Sequence, residues 1–154
     1  MRTLDTLIVE SPVFKGLSQG QLEFIAGCAS NTVFAAGERL FREGDQADTF
    51  FPIRHGLVAL DTYVPNRGQL TVATLGPGEI VGWSWLLPPY RWHYTGRAVE
   101  LVRAVQFDGA CLRRKCDEDT ALGYNLLTRF AEVLVSRLQA TRLQLMDVYG
   151  DRRQ

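Results

Sequence analysis

The chain has 154 residues, 46% of them hydrophobic, enough for one core of ordinary size. Lys plus Arg and Asp plus Glu both number 17, so the formal net charge is zero and no basic excess draws the chain onto nucleic-acid phosphates or an anionic membrane. No run of about 18 apolar residues spans a bilayer, charged Arg2, Asp5 and Glu10 interrupt any N-terminal leader, and the odd set Cys28, Cys111 and Cys116 fits a reduced, cytoplasmic compartment.

Thr3 to Val9 reads as a short amphipathic helix, broken by Ser11-Pro12. Ser18 and Gln21 have the spacing of a capping box, and Leu22, Ile25 and Ala26 follow at helical spacing. Cys28 is expected at the end of this helix as a small core residue. These helices occupy residues 1–30 of the expected organisation. From Asn31 the period shifts toward two. Short strands are predicted at Val33-Phe34, Leu40-Phe41, Phe50 to Ile53, Leu57 to Val64 and Gln69 to Leu75, with a last one at Leu101 to Phe107. Turn residues separate them, as in Glu43-Gly44-Asp45, His55-Gly56 and Pro65-Asn66-Arg67-Gly68. Many short strands with regular turns predict an antiparallel roll or barrel over residues 31–108.

Within that roll, Gly76 to Ala98 holds all three tryptophans, Trp83, Trp85 and Trp92, with Tyr90, His93 and Tyr94. Gly76, Gly78 and Gly82 bracket a short strand, Ile80-Val81. Trp83, Leu86 and Leu87 sit at helical spacing, so one or two helical turns are expected until Pro88-Pro89 ends them. A helix start after glycine offers amides to an anion.

After Asp108 the pattern is helical over 109–149. Cys111 to Cys116 makes one or two turns, with Arg113-Arg114-Lys115 read as solvated surface. Asp117, Glu118 and Asp119 then place acids at the start of a long helix of about 45 Å, ending before Gly150. Leu127, Ala131, Leu134, Leu138, Thr141, Leu145 and Val148 alternate steps of four and three, a seam for a partner helix. A second stripe, Leu122, Leu126, Phe130 and Val133, is available to pack on the roll. The expectation is a homodimer through the seam.

Phe41 to Leu60, FREGDQADTFFPIRHGLVAL, resembles the hairpin signature of cyclic nucleotide-binding domains in Glu43-Gly44-Asp45, Ala47-Asp48, Phe50-Phe51, Ile53, Gly56 and Val58. The order of elements around it is also similar, over roughly residues 10–148. The resemblance implies a mainly β, jelly-roll-like β-barrel flanked by helices, as in the sensor halves of CRP/FNR-type regulators. It also implies that Gly76 to Ala98 is a phosphate-binding cassette. In that family a Glu after the glycine takes the ribose hydroxyl, and an Arg about ten residues on pairs with the cyclic phosphate. Here Gly82 is kept, Trp83 stands at the Glu position, and Trp92 falls at or next to the Arg position. A cyclic phosphate needs a cation or several donors to offset its desolvation, so ordinary cAMP or cGMP is not the expected ligand.

Two functional readings remain open. One is a sensor domain for another, planar or nucleotide-like small molecule, held by Val72, Gly82, Trp83, Ser84, Trp85, Trp92 and Tyr94 with Arg91 and His93 as polar handles. The alternative is that the tryptophans fill that pocket themselves and nothing binds. The other is a ligand-free homodimeric interaction module that works through the long helix and exposed aromatics, with a protein partner. A transcription regulator is a weaker reading: only Gly150 to Gln154 follow the long helix, too few for a helix-turn-helix, so DNA binding requires a separate partner. No nucleophile, base and orienting group stand together, so an enzyme is not expected, and no metal or cofactor is. Cys111 and Cys116 are read as ordinary thiols, not ligands, and haem ligation through His93 has little support.

Overall fold

The computed structural model describes residues 11–151 of the chain. The helix expected over Thr3 to Val9 lies outside them. Pro12–Phe14 form a single 3-10 turn, and α1 spans Gln19–Ala26. Its start follows the capping logic of the sequence. The Ser18 hydroxyl oxygen accepts from the Gln21 amide at 3.1 Å, and the Gln21 side-chain carbonyl accepts from the Ser18 amide at 3.0 Å.

Eight strands follow: β1 Ala29–Phe34, β2 Arg39–Phe41, β3 Thr49–His55, β4 Val58–Val64, β5 Gly68–Leu75, β6 Ile80–Val81, β7 Thr95–Ala98 and β8 Val102–Asp108. They pair antiparallel into two four-stranded sheets, ordered β1-β8-β3-β6 and β2-β7-β4-β5. The β3–β4 turn depends on Gly56, whose φ is 91° and whose added Cβ would collide with the Leu101 carbonyl oxygen.

Strand alternation divides the core. On β3, Phe51 and Ile53 face into the roll, where they meet Val58, Leu60, Ala98, Val102 and Ala104. Phe50, one residue along, belongs to the opposite cluster with Phe14, Ile25, Phe107, Leu112 and Phe130. Phe50 and Phe107 are cross-strand partners whose rings stack at 4.7 Å. This second cluster binds the helices to the β1-β8-β3-β6 sheet.

Two helices close the chain, α2 over Gly109–Glu118 and α3 over Thr120–Asp151. Asp119 ends α2, and its carboxylate accepts from the Leu122 amide at 3.1 Å, starting α3. At 32 residues α3 is about 48 Å long, and it runs through Gly150 rather than stopping before it. Leu122, Leu126 and Phe130 are buried in the helix-side cluster, with Val133 packed against it. No helix among the described residues is long and apolar enough to cross a membrane.

Cysteine is where the structure departs from the sequence reading. Cys28 is buried, but as half of a disulfide with Cys111, with Cα atoms 5.7 Å apart. The bond ties the end of α1 to the first turn of α2 across 83 residues of sequence. Cys116 is the free thiol. Burial raises its pKa, as do the charges of Asp117 and Asp119, so the thiol is held in its unreactive form.

Candidate ligand site

The segment from Gly76 to Ala98 leaves β6, crosses toward the helices and returns as β7. The helical turns expected after Gly82 are not formed. Instead, successive tight turns run from Ser84 to Pro89, with Leu86 N donating to Trp83 O at 3.2 Å and Tyr90 N to Leu87 O at 3.1 Å. The side chains explain this. Trp83 and Trp85 both pack edge-on against Phe130, at 5.1 and 5.5 Å between ring centroids. Residues two apart in a helix do not share a face, so a helical backbone cannot send both indoles to one core. Pro88 and Pro89 also supply no amide for a helical ladder. The helix N-terminus proposed as an anion site is therefore absent from this segment.

Trp85 is buried and stacks on Phe50 at 4.6 Å. Trp83 is half-buried on the same side of the sheet. Trp92 goes elsewhere: it is buried and stacks on Phe41 at 3.6 Å between centroids, and Phe41 in turn stacks on Phe51 inside the roll. Backbone bonds hold it there, from Trp92 N to Asp45 O at 3.0 Å and from Gly44 N to Trp92 O at 2.9 Å. Gly82 has φ 105°, and an added Cβ would lie 2.9 Å from the Trp92 ring. The indole thus fills the space directly in front of the cassette glycine.

The nine residues expected to share one pocket are dispersed. Trp83 and Trp85 join the helix-side cluster, while Trp92 packs at the roll. Ser84 is half-buried, and Arg91, His93, Tyr94 and Val72 are exposed. Arg91 makes an isolated β-bridge with Gln46. Beside the cassette turn a hollow of about 280 Å³ opens between Trp85, Leu86, Tyr90 and Arg113 on one side and Leu127 and Phe130 on the other. The indole nitrogens of Trp83 and Trp85 are buried without a hydrogen-bond partner among the described residues.

Two arginines clamp this segment, one from each closing helix, a role the sequence reading assigned to neither. Arg113, expected as solvated surface, is half-buried. It donates to the Trp85 carbonyl and to Asp48 Oδ1 at 3.4 Å, and its guanidinium lies 4.1 Å from the Tyr90 ring centroid. Arg137 donates to the Ile80 carbonyl at 3.1 Å and lies 5.4 Å from the Trp83 ring. Burial lowers the Arg137 pKa, against the opposing charge of Glu79. Lys115 is likewise engaged, donating to the Phe24 carbonyl. These partners stand far away in sequence, so no local pattern announces them.

On α3 the other stripe is uncovered. Leu127, Leu134 and Leu138 are 56, 40 and 62% exposed, and Ala131 and Thr141 are exposed with them. The side chains of Leu145 and Val148 lie outside the described residues.

A helix-flanked antiparallel roll with a glycine-led crossing segment and a long closing helix is the fold of regulatory sensor domains. The profile of the cyclic nucleotide-binding domain family matches residues 31–119, and the chain belongs to that family. It is 32% identical to a protein of Geobacter metallireducens GS-15 described as cyclic nucleotide-binding, with a TM-score of 0.79 over 90% of this chain and 99% of that one. It is 25% identical to the N-terminal domain of a transcriptional regulator from Streptomyces coelicolor A3(2), with a TM-score of 0.70 over 88% and 94% of the two chains. A cyclic nucleotide-binding domain from Methylobacillus flagellatus KT shares the fold, with a TM-score of 0.81 at 20% identity over 92% and 84%. Among curated protein sequences there is no significant match.

Proposed function

We infer that the chain is a non-enzymatic regulatory domain whose cassette is occupied by its own aromatic side chains and does not take ordinary cAMP or cGMP. The observation that carries this reading is Trp92, stacked on Phe41 and set against Gly82, where the family resemblance expects an arginine and a cyclic phosphate. An indole offers one N–H donor and no charge. Arg91 and His93, the nearest polar handles, are exposed on a neighbouring stretch.

The domain acts, on this reading, as a homodimer. Leu127, Leu134 and Leu138 form the uncovered seam, and a second copy of α3 is the partner that matches a self-complementary heptad stripe. Arg113 and Arg137 join the cassette to α2 and α3. A contact that displaces the turn from Trp83 to Leu87 is therefore transmitted to the helix that carries the seam.

A thermal-shift titration of the purified chain with cAMP and cGMP tests the ligand statement. A bound ligand at one hundred times its dissociation constant stabilises by about 2.7 kcal/mol and raises the melting temperature by several degrees. We expect an unchanged melt. A clear, saturable rise with either nucleotide would overturn the reading.

A further inference from the structure

The outer face of the β2-β7-β4-β5 sheet, opposite the roll interior, carries a hollow of about 680 Å³. Its floor is polar and buried. Asp61 and Thr95 are 7 and 9% exposed, although they lie on the face of the sheet turned away from the core. Gly96, between Thr95 and Arg97, faces inward against the Phe41 ring, so its neighbours on β7 face outward.

Three arginines surround that floor: Arg39 on β2, Arg42 just after it, and Arg97 on β7. Arg39 and Arg97 are direct cross-strand partners. Like charges placed opposite one another destabilise a sheet, and the one carboxylate of Asp61 is shared between the two charges. The carboxylates nearby are already committed. Asp61 accepts from Thr71 Oγ1 at 2.7 Å and from Arg97 Nε at 2.9 Å. Glu43 accepts from Thr62 Oγ1 at 3.1 Å and from the Tyr63 amide at 3.2 Å. Arg97 uses only its Nε on Asp61. Arg39 and Arg42 are exposed and form no ion pair among the described residues.

We propose that this hollow is a binding site for a small soluble multivalent phosphate, a phosphate monoester or diphosphate, distinct from the cassette inside the roll. The guanidiniums of Arg39 and Arg42 and the terminal nitrogens of Arg97 take the phosphate oxygens, since planar forks suit that geometry. A bound dianion relieves the repulsion between Arg39 and Arg97. The hollow has the size of a small-molecule site. The zero net charge of the chain supplies no long-range field for a polyanion, which favours a small ligand over a nucleic acid.

The test is isothermal titration of the whole chain with pyrophosphate, repeated on Arg39→Gln/Arg42→Gln and on Arg91→Gln, with amide shifts mapped by NMR. The expected result is saturable binding that the double substitution weakens at least about tenfold, with shifts centred on Thr71, Thr95 and Arg97. Both substituted arginines are exposed, so the double variant is expected to fold; if it does not, Arg42→Gln alone is used and is expected to weaken binding several-fold. Absence of saturable binding overturns the proposal. So does binding that survives the double substitution, or binding lost in Arg91→Gln with shifts at Gly82, which would place the anion in the cassette instead.

Discussion

At the scale of single residues, the cassette is defined by which side chain each indole touches. Trp92 closes the roll by stacking on Phe41, and truncating it leaves a cavity against Gly82. Trp92→Ala is expected to cost about 3–5 kcal/mol, a fall in melting temperature on the order of 10 °C for a chain of this size. Tyr94→Ala, at an exposed position, should leave the melt nearly unchanged, and equal losses from the two would contradict the packing assigned to Trp92. Asp61 gives a second residue-scale prediction. Burial alone would raise its pKa, but hydrogen bonds from Arg97 and Thr71, with the charges of Arg97 and Arg39, outweigh it and hold the carboxyl below its usual value. Because the folded pKa is depressed, the unfolded chain binds more protons between the two values, and stability rises with pH there. Asp61 therefore contributes fully above about pH 4 and loses that contribution as the pH falls through its folded pKa. Asp61→Asn should lower the melting temperature near neutral pH and flatten the acid side of the pH profile. A variant whose profile parallels the wild type would show that the Arg97 pairing contributes nothing.

Among elements, α3 carries two stripes with different fates. Leu126 and Phe130 are buried under the helix-side cluster, and Leu134 and Leu138 are exposed. Leu134→Asp with Leu138→Asp is expected to give a folded monomer by light scattering coupled to size exclusion. Leu126→Ala should instead destabilise the fold by about 2–5 kcal/mol; an unchanged dimer in the Leu134/Leu138 variant removes the seam from the account. That the two stripes separate by face was legible from their spacing alone, as was the capping box at Ser18, because both rest on neighbours three or four residues apart. Most strand positions and turns were legible for the same reason, because alternation and Gly-rich turns are local, whereas the orders β1-β8-β3-β6 and β2-β7-β4-β5 rest on pairings distant in sequence. The turn from Trp83 to Pro89 was not. Its residues have helical spacing, but Phe130, more than forty positions away, draws both Trp83 and Trp85 to one side and leaves no helix. The roles of Arg113 and Arg137 were hidden because their acceptors are the carbonyls of Trp85 and Ile80. The Cys28–Cys111 bond was hidden by its span of 83 residues.

Across the whole molecule, one sheet presents two chemistries on its two faces. Inside, aromatic rings from β2 and the cassette close the space in front of Gly82. Outside, Arg39, Arg42 and Arg97 ring a polar floor built on Asp61 and Thr95. The family fold is kept, with its roll, crossing segment and long helix. The helices hold the crossing segment through Arg113 and Arg137, which tie it to α2 and α3. On the function proposed above, the cassette is filled by the protein's own side chains. Amide and indole NMR spectra of the chain during titration with cAMP would report on that filling. The Gly82 amide and the indole signals of Trp83, Trp85 and Trp92 are expected to stay in place up to high nucleotide concentration. Saturable shifts centred on Gly82 and Trp92 would contradict it, since the nucleotide would then be displacing Trp92 from the space it occupies.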